Sequence, residues 1–252
     1  MKFFWIWNGI RIKQGLIIVT AAFFAAIILF VEGGDLAVFT NNDVPLAVDQ
    51  VKSDDKRLAL TFDISWGETK AVPILDELKQ NNVKASFFIS GAWAERHPEI
   101  VEQITKDGHE IGNLGYRYEN YTNMKDEEIK KDIIRSSEAI KKVTDEEPQL
   151  LRPPNGNFDK RVLLLSDKFN YTVIHWSLDS EDWRNPGVEN IVQNVMKEID
   201  PGDIVLMHAS DSAKQTAEAL PEMIAALKKK GYSFATVSEL VSDAKIKSKE
   251  IK

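Results

Sequence analysis

Six polar side chains that could do chemistry recur along the chain in a set order: Asp63, Asn113, Arg152, Asp179, Asp182 and His208. Carboxylates and an imidazole are the groups that take up and release protons near neutral pH. The same residues also have structural uses, Asp63 with Arg152 as a buried ion pair and His208 with Asp182 as a satisfied hydrogen bond. Asp179 and Asp182 admit a glycosidase acid/base reading as well, but that requires a carboxylate separation the sequence does not state. Other chemistries are excluded by composition. The 252 residues contain no cysteine, so a thiolate nucleophile, a thiolate zinc site and a disulfide are all absent. The 4 histidines are His97, His109, His175 and His208, and none stands four residues from another, so no His-x-x-x-His metal clamp exists. No phosphate-binding glycine loop, dinucleotide fingerprint, Gly-x-Ser-x-Gly elbow or His-Glu-x-x-His occurs. A net charge of -7 and a pI near 5.3 leave no basic stripe for a phosphate backbone, which excludes a nucleic-acid partner.

These residues need elements to hold them together. Apolar strand-like runs at Leu58–Phe62, Ala85–Ile89, His109–Asn113, Leu150–Arg152, Thr172–Leu178, Ile204–His208 and Ser233–Val237 alternate with helical patterns. The helices are expected at Lys70–Gln80, Pro98–Lys106, Asp126–Val143, Lys160–Ser166, Val188–Glu198 and Ala213–Lys229. Such alternation implies an α/β protein with a largely parallel sheet, and periodicity alone leaves open whether the sheet closes. The six polar residues fall at the carboxyl ends of the expected strands, the rim where parallel α/β folds build their sites.

The N-terminus is organised differently. Residues 1–14 form a basic end with Lys2, Arg11 and Lys13, followed by an uncharged run over 15–31. Seventeen residues at about 1.5 Å each give about 25 Å of helix, enough for a thin membrane core. The positive-inside rule then leaves the short basic end in the cytoplasm and exports the rest. The chain is therefore expected to be a single-pass protein of the cell membrane with an extracytoplasmic domain. Residues 32–56 read as a linker, 57–240 as the domain and 241–252 as a charged tail.

The ordered motifs Thr61-Phe62-Asp63, Arg152-Pro153-Pro154-Asn155-Gly156, Ser177-Leu178-Asp179-Ser180-Glu181-Asp182-Trp183 and Leu206-Met207-His208 resemble the polysaccharide deacetylases, the NodB-homology or carbohydrate esterase family four domain. The resemblance covers residues 57–240 and implies a distorted (β/α)7 barrel with an open groove for N-acetylated cell-wall glycan, peptidoglycan. Gly108-His109-Glu110-Ile111-Gly112-Asn113-Leu114-Gly115-Tyr116 and the N-terminal anchor resemble in particular the sporulation-associated deacetylase-like proteins of spore-forming bacilli. By resemblance Asp63 is the base, Arg152 orients it, His208 is the acid and Asp182 fixes its tautomer. Asn113, Pro153, Pro154, Asp179, Trp183 and Leu206 are expected to contact substrate.

Family members hold a divalent cation on a second aspartate and two histidines, and the cation activates the attacking water. At those positions this chain has Ile64, Leu114 and Tyr118. None supplies a carboxylate or imidazole, so the expectation is no metal, no cofactor and an apolar plug of Ile64 and Leu114 in the vacated place. Two functional classes follow: an amidohydrolase acting on carbon–nitrogen bonds other than peptide bonds, or a pseudoenzyme that binds wall glycan or a sporulation partner. Trp66, Trp176 and Trp183 are further expected to offer stacking surfaces for sugar.

Overall fold

A computed structural model describes residues 45–242. The expected anchor over 15–31, the basic end before it, the first part of the linker and the tail beyond residue 242 lie outside the described residues.

Eight strands pair in parallel: β1 (Arg57–Ile64), β2 (Ser86–Ile89), β3 (Glu110–Asn113), β4 (Leu150–Leu151), β5 (Thr172–Val173), β6 (Leu178–Asp179), β7 (Ile204–His208) and β8 (Ser233–Phe234). Their order is β5-β4-β3-β2-β1-β7-β6, with β8 branching from β1. Among the described residues no ladder joins β5 to β6, so the sheet forms a distorted half-barrel. The crossovers carry α1 (Ala71–Gln80), α2 (Gly91–Ala94), α3 (Pro98–Lys106), α4 (Asp126–Thr144), α5 (Lys160–Lys168), α6 (Val188–Met196) and α7 (Thr216–Lys229).

Strand β1 shows why this sequence makes this sheet. All of Leu58 to Ile64 is buried, as a parallel strand covered on both faces must be. Successive side chains point to opposite faces. Leu58, Leu60, Phe62 and Ile64 join one core cluster with Ile74, Leu75 and Leu78 of α1 and Leu220, Met223 and Leu227 of α7. Ala59 joins another, on the inner face, with Phe88, Leu114 and Ile174. In α1 the buried residues Ala71, Ile74, Leu75 and Leu78 follow the i, i+3, i+4, i+7 spacing of a helix face turned to a core.

Besides a last strand that stops at Phe234 instead of Val237, the structure departs from the sequence expectations most in three places. The run Thr172–Leu178 is cut into β5 and β6 because residues 174–177 change partners. Ile174 N–H donates to Leu151 O at 2.9 Å and His175 N–H to Val48 O at 2.8 Å, whereas Ser177 N–H donates to Ile204 O at 3.0 Å. The linker expected to reach residue 56 contributes to the fold earlier. Val48 bridges Ile174, Gln50 bridges Asp203, and Val51 N–H donates to Gly202 O at 2.9 Å. This short stretch therefore runs from the β5 side to the entrance of β7, where the sheet is open. Helix α2 was not expected at all, being a single turn.

Candidate active site

Strands β1 and β7 are neighbours, and their register sets Asp63 opposite His208 at the carboxyl ends. Arg152 follows β4 and is fully buried, as is nearly all of Asp63, at 4% exposure. Its Nη1–H donates to Asp63 Oδ1 at 2.7 Å and its Nη2–H to His175 O at 3.0 Å. The guanidinium lies 4.1 Å from the Phe88 ring centre and 5.4 Å from that of Trp176, and its Nε has no partner. Asp63 is thus a carboxylate held in one orientation by a buried cation, with its remaining acceptor capacity facing the cleft it lines.

His208 is held from behind. Its Nδ1 lies 2.8 Å from Asp182 Oδ1, and its backbone N–H donates to Asp182 Oδ2 at 2.7 Å. Thr216 Oγ1–H donates to the same oxygen at 2.6 Å, and Asp182 is fully buried. An acceptor carboxylate at Nδ1 requires the proton on that nitrogen, which leaves Nε2 for exchange. Burial by itself lowers the pKa of His208. The hydrogen bond and charge of Asp182, with the charges of Asp63 and Asp179, outweigh it and raise the pKa above the ordinary imidazole value.

The three positions that hold a cation in the family do not fit one here. Ile64 is fully buried on the helix-facing side with Leu60 and Phe62, and Leu114 is fully buried on the inner side with Phe88. The expected plug of Ile64 packed with Leu114 is therefore corrected: the two belong to separate clusters because β1 alternation turns Ile64 away from the inner face that carries Asp63. Tyr118 packs against the Leu114 cluster and lines the cleft. Burial first, and then the charge of Asp63, push its phenol pKa well up, while the backbone amide of Asn155 and the charge of Arg152 act the other way. A protonated phenol is a poor cation ligand. Among the described residues no three His, Asp or Glu side chains come together as a metal set.

The cleft encloses about 560 Å³. Asp63 and His208 stand on its floor with Leu206, and Trp66, Trp176 and Trp183 line its walls with Asp179. Trp66 and Trp183 are about half exposed, at 51% and 46%. Trp183 Nε1–H donates to Asp179 Oδ2 at 3.3 Å, and Glu181 N–H donates to Asp179 Oδ1 at 2.8 Å. Arg152 and Asp182 stand behind Asp63 and His208 and do not line the cleft.

Asn113 departs from expectation. It is fully buried, its amide donating to Ile133 O at 3.1 Å and to Tyr171 Oη at 3.2 Å, while its Oδ1 accepts from Gly115 N–H at 2.8 Å. That geometry shapes the turn after β3 rather than contacting a ligand. Pro153 and Pro154 are buried, and the turn Pro154–Gly156 that they open presents Asn155 to the cleft instead.

The sequence offered no signal for Ser65, Ser210 and Ser212, which also line the cleft, because only the meeting of two loops makes them neighbours. Ser65 N–H donates to Ser210 Oγ at 3.0 Å. Beside them Asp211 accepts from the N–H groups of Glu68, Thr69 and Lys70 at 3.3, 2.9 and 3.0 Å, capping the start of α1 from another loop. Gly67, with φ +81°, lies so close that a Cβ there would collide with the Asp211 carboxylate.

The parallel half-barrel, with a buried Asp–Arg pair and an Asp-held histidine at its carboxyl rim, is the arrangement that the resemblance to the polysaccharide deacetylases implies. The polysaccharide deacetylase family model matches residues 50–174. A peptidoglycan-N-acetylglucosamine deacetylase of Bacillus cereus is 39% identical over 195 residues, covering 76% of this chain and 91% of that protein. The chain belongs to the polysaccharide deacetylase family. The crystal structure of a wild-type CE4 family pseudoenzyme from Bacillus anthracis is 33% identical with a TM-score of 0.74, covering 78% of this chain and 69% of the other. A mutant of that pseudoenzyme, described as having restored enzymatic activity, matches at 34% identity with the same TM-score of 0.74, covering 78% of this chain and 71% of the other.

Proposed function

We propose that this chain is a deacetylase-like protein of the cell wall that engages N-acetylated peptidoglycan glycan in the aromatic cleft, without the metal-activated water of its family. One observation carries the reading: the site is divided. The Asp63–Arg152 and His208–Asp182 pairs retain a base and an acid across one cleft, while Ile64, Leu114 and Tyr118 occupy the positions of the cation ligands.

In this reading Asp63 takes a proton from water, and His208 Nε2 delivers one to the leaving nitrogen of an acetamide, a carbon–nitrogen bond that is not a peptide bond. Base and acid together supply on the order of 10²- to 10⁴-fold for each proton transfer. Without a Lewis acid for the oxyanion, turnover is slow, and the geometry favours a pseudoenzyme that holds glycan. The similarity to the Bacillus anthracis pseudoenzyme supports the same reading. The finer expectations from the sequence complete it: a distorted (β/α)7 barrel of the deacetylase type, an anchor over 15–31 in the cell membrane, an extracytoplasmic domain and a role in sporulation.

The test uses the full chain in detergent, with N-acetylated peptidoglycan strands as ligand and acetate release as the rate assay. Binding with acetate release at background is the expected result. Acetate release that Asp63→Asn abolishes would establish a working hydrolase in place of the pseudoenzyme. Failure to bind glycan would remove both.

A further inference from the structure

Two non-glycine residues face the cleft with left-handed backbones: Tyr118 at φ 58° and Asn155 at φ 58°. That region is unfavourable for a side chain such as tyrosine and readily adopted by asparagine, and an outlier like Tyr118 persists where the surrounding structure fixes it. Tyr118 comes from the turn after β3 and Asn155 from the turn after β4, so the two residues reach one site from different loops. Both line the cleft beside Asp63 and Trp176. A neutral phenol brings the cleft an O–H donor. Asp63, its negative neighbour, keeps it a donor by opposing ionisation.

The surroundings say what this donor meets. Tyr118 packs in a cluster with Leu114, Phe88 and Trp176, and Leu206 and Trp176 line the same cleft. An acetamide presents a carbonyl, which only accepts, next to a methyl group, which needs apolar company. A free sugar amine at neutral pH presents an ammonium, which only donates. We infer that Tyr118 is the specificity residue of this cleft, its hydroxyl donating to the acetamide carbonyl of an N-acetylated sugar whose methyl rests against Leu206 and Trp176. This rests on the glycan-binding reading and deepens it, by assigning preference for acetylated over deacetylated glycan to one side chain of this chain's own.

The experiment measures tryptophan fluorescence of the full chain titrated with fully N-acetylated and fully de-N-acetylated chitooligosaccharides of equal length. Wild type is expected to prefer the acetylated ligand by about tenfold, an ordinary return for one well-placed hydrogen bond and a methyl contact. Tyr118→Phe keeps the ring and is expected to lose that preference while binding the deacetylated ligand unchanged. Trp183→Ala is expected to weaken both ligands alike, because a stacking wall is indifferent to the substituent. Equal acetyl preference in wild type and Tyr118→Phe overturns the assignment and leaves glycan binding standing. Tighter binding of the deacetylated ligand by wild type also overturns it, by showing that Asp63 and Asp179 select an ammonium. No binding of either ligand overturns the glycan reading along with the assignment. Unfolding midpoints of the variants show whether each is folded, and Tyr118→Leu, which has no donor, is expected to repeat the lost preference.

Discussion

His208 ends a strand at the carboxyl rim of the sheet, and His109 precedes one at the amino rim; the protein handles them in opposite ways. His208 has a buried carboxylate on its Nδ1, a second charged neighbour in Asp63 and a pKa raised above the ordinary value. His109 is buried against the Phe87 ring at 5.2 Å, its Nδ1 accepts from Ala85 N–H at 3.2 Å, and its Nε2 has no partner. Burial, with a smaller push from Lys84 and some opposition from Asp107, lowers its pKa to about 4. At one rim charges are installed in pairs and held ready. At the other a histidine serves as a flat, neutral packing unit, although both ends are rich in polar residues. Pairing, rather than polarity, is what separates site from scaffold here.

Breaking a pair should therefore cost most. Arg152→Met leaves Asp63 charged and buried without its cation, and we expect a loss of about 3–5 kcal/mol of unfolding free energy in urea titrations at neutral pH.

The scaffold histidine gives the next effect. The unfolded chain protonates His109 near 6.5 while the folded chain resists until about 4, so stability is lost as pH falls through that window. The loss amounts to about 3 kcal/mol. His109→Gln should flatten that part of the wild-type curve, read as the difference in unfolding free energy between the two proteins from pH 7 to 4.

The paired histidine has the reverse sign. A raised folded pKa stabilises fully below about 6.5 and fades as pH rises through the folded value. Asp182→Asn should remove that upper-pH slope and lower stability by about 1–3 kcal/mol, since three hydrogen bonds converge on the carboxylate. A histidine chemical-shift titration of the variant should show His208 ionising at lower pH than in wild type.

The smallest effect tests the loops rather than the strands. Asp211→Ala should cost about 1 kcal/mol, as a lost helix cap does, and should speed amide exchange at Glu68, Thr69 and Lys70 without altering exchange in β1.

Much of this was legible beforehand, for a physical reason. The helix Pro98–Lys106 and the strand Ile204–His208 have the bounds expected from the sequence, because proline at a helix start and an uninterrupted apolar run are local signals. Likewise a parallel sheet brings strand ends together, so the meeting of Asp63 and His208 is implied by their places at strand ends. Facing was less accessible. That Ile64 turns to the helices and Asn113 to Tyr171 depends on strand register and on which helix lies behind. Contacts between loop tips left no trace at all: Asp211 on the start of α1, Ser210 on Ser65 and Asn155 beside Tyr118 join segments far apart in sequence with no periodic pattern to announce them.

The stretch Val48–Val51 sets where mechanical load enters the domain. A pull transmitted from the preceding chain arrives first at Val48, whose N–H and C=O are bonded to Val173 and His175 at 2.8 Å each, and then at Val51, bonded to Gly202. These bonds lie across the open seam of the sheet, between the β5 side and the entrance to β7. Tension applied at Val48 would work on those bonds before it reached β1.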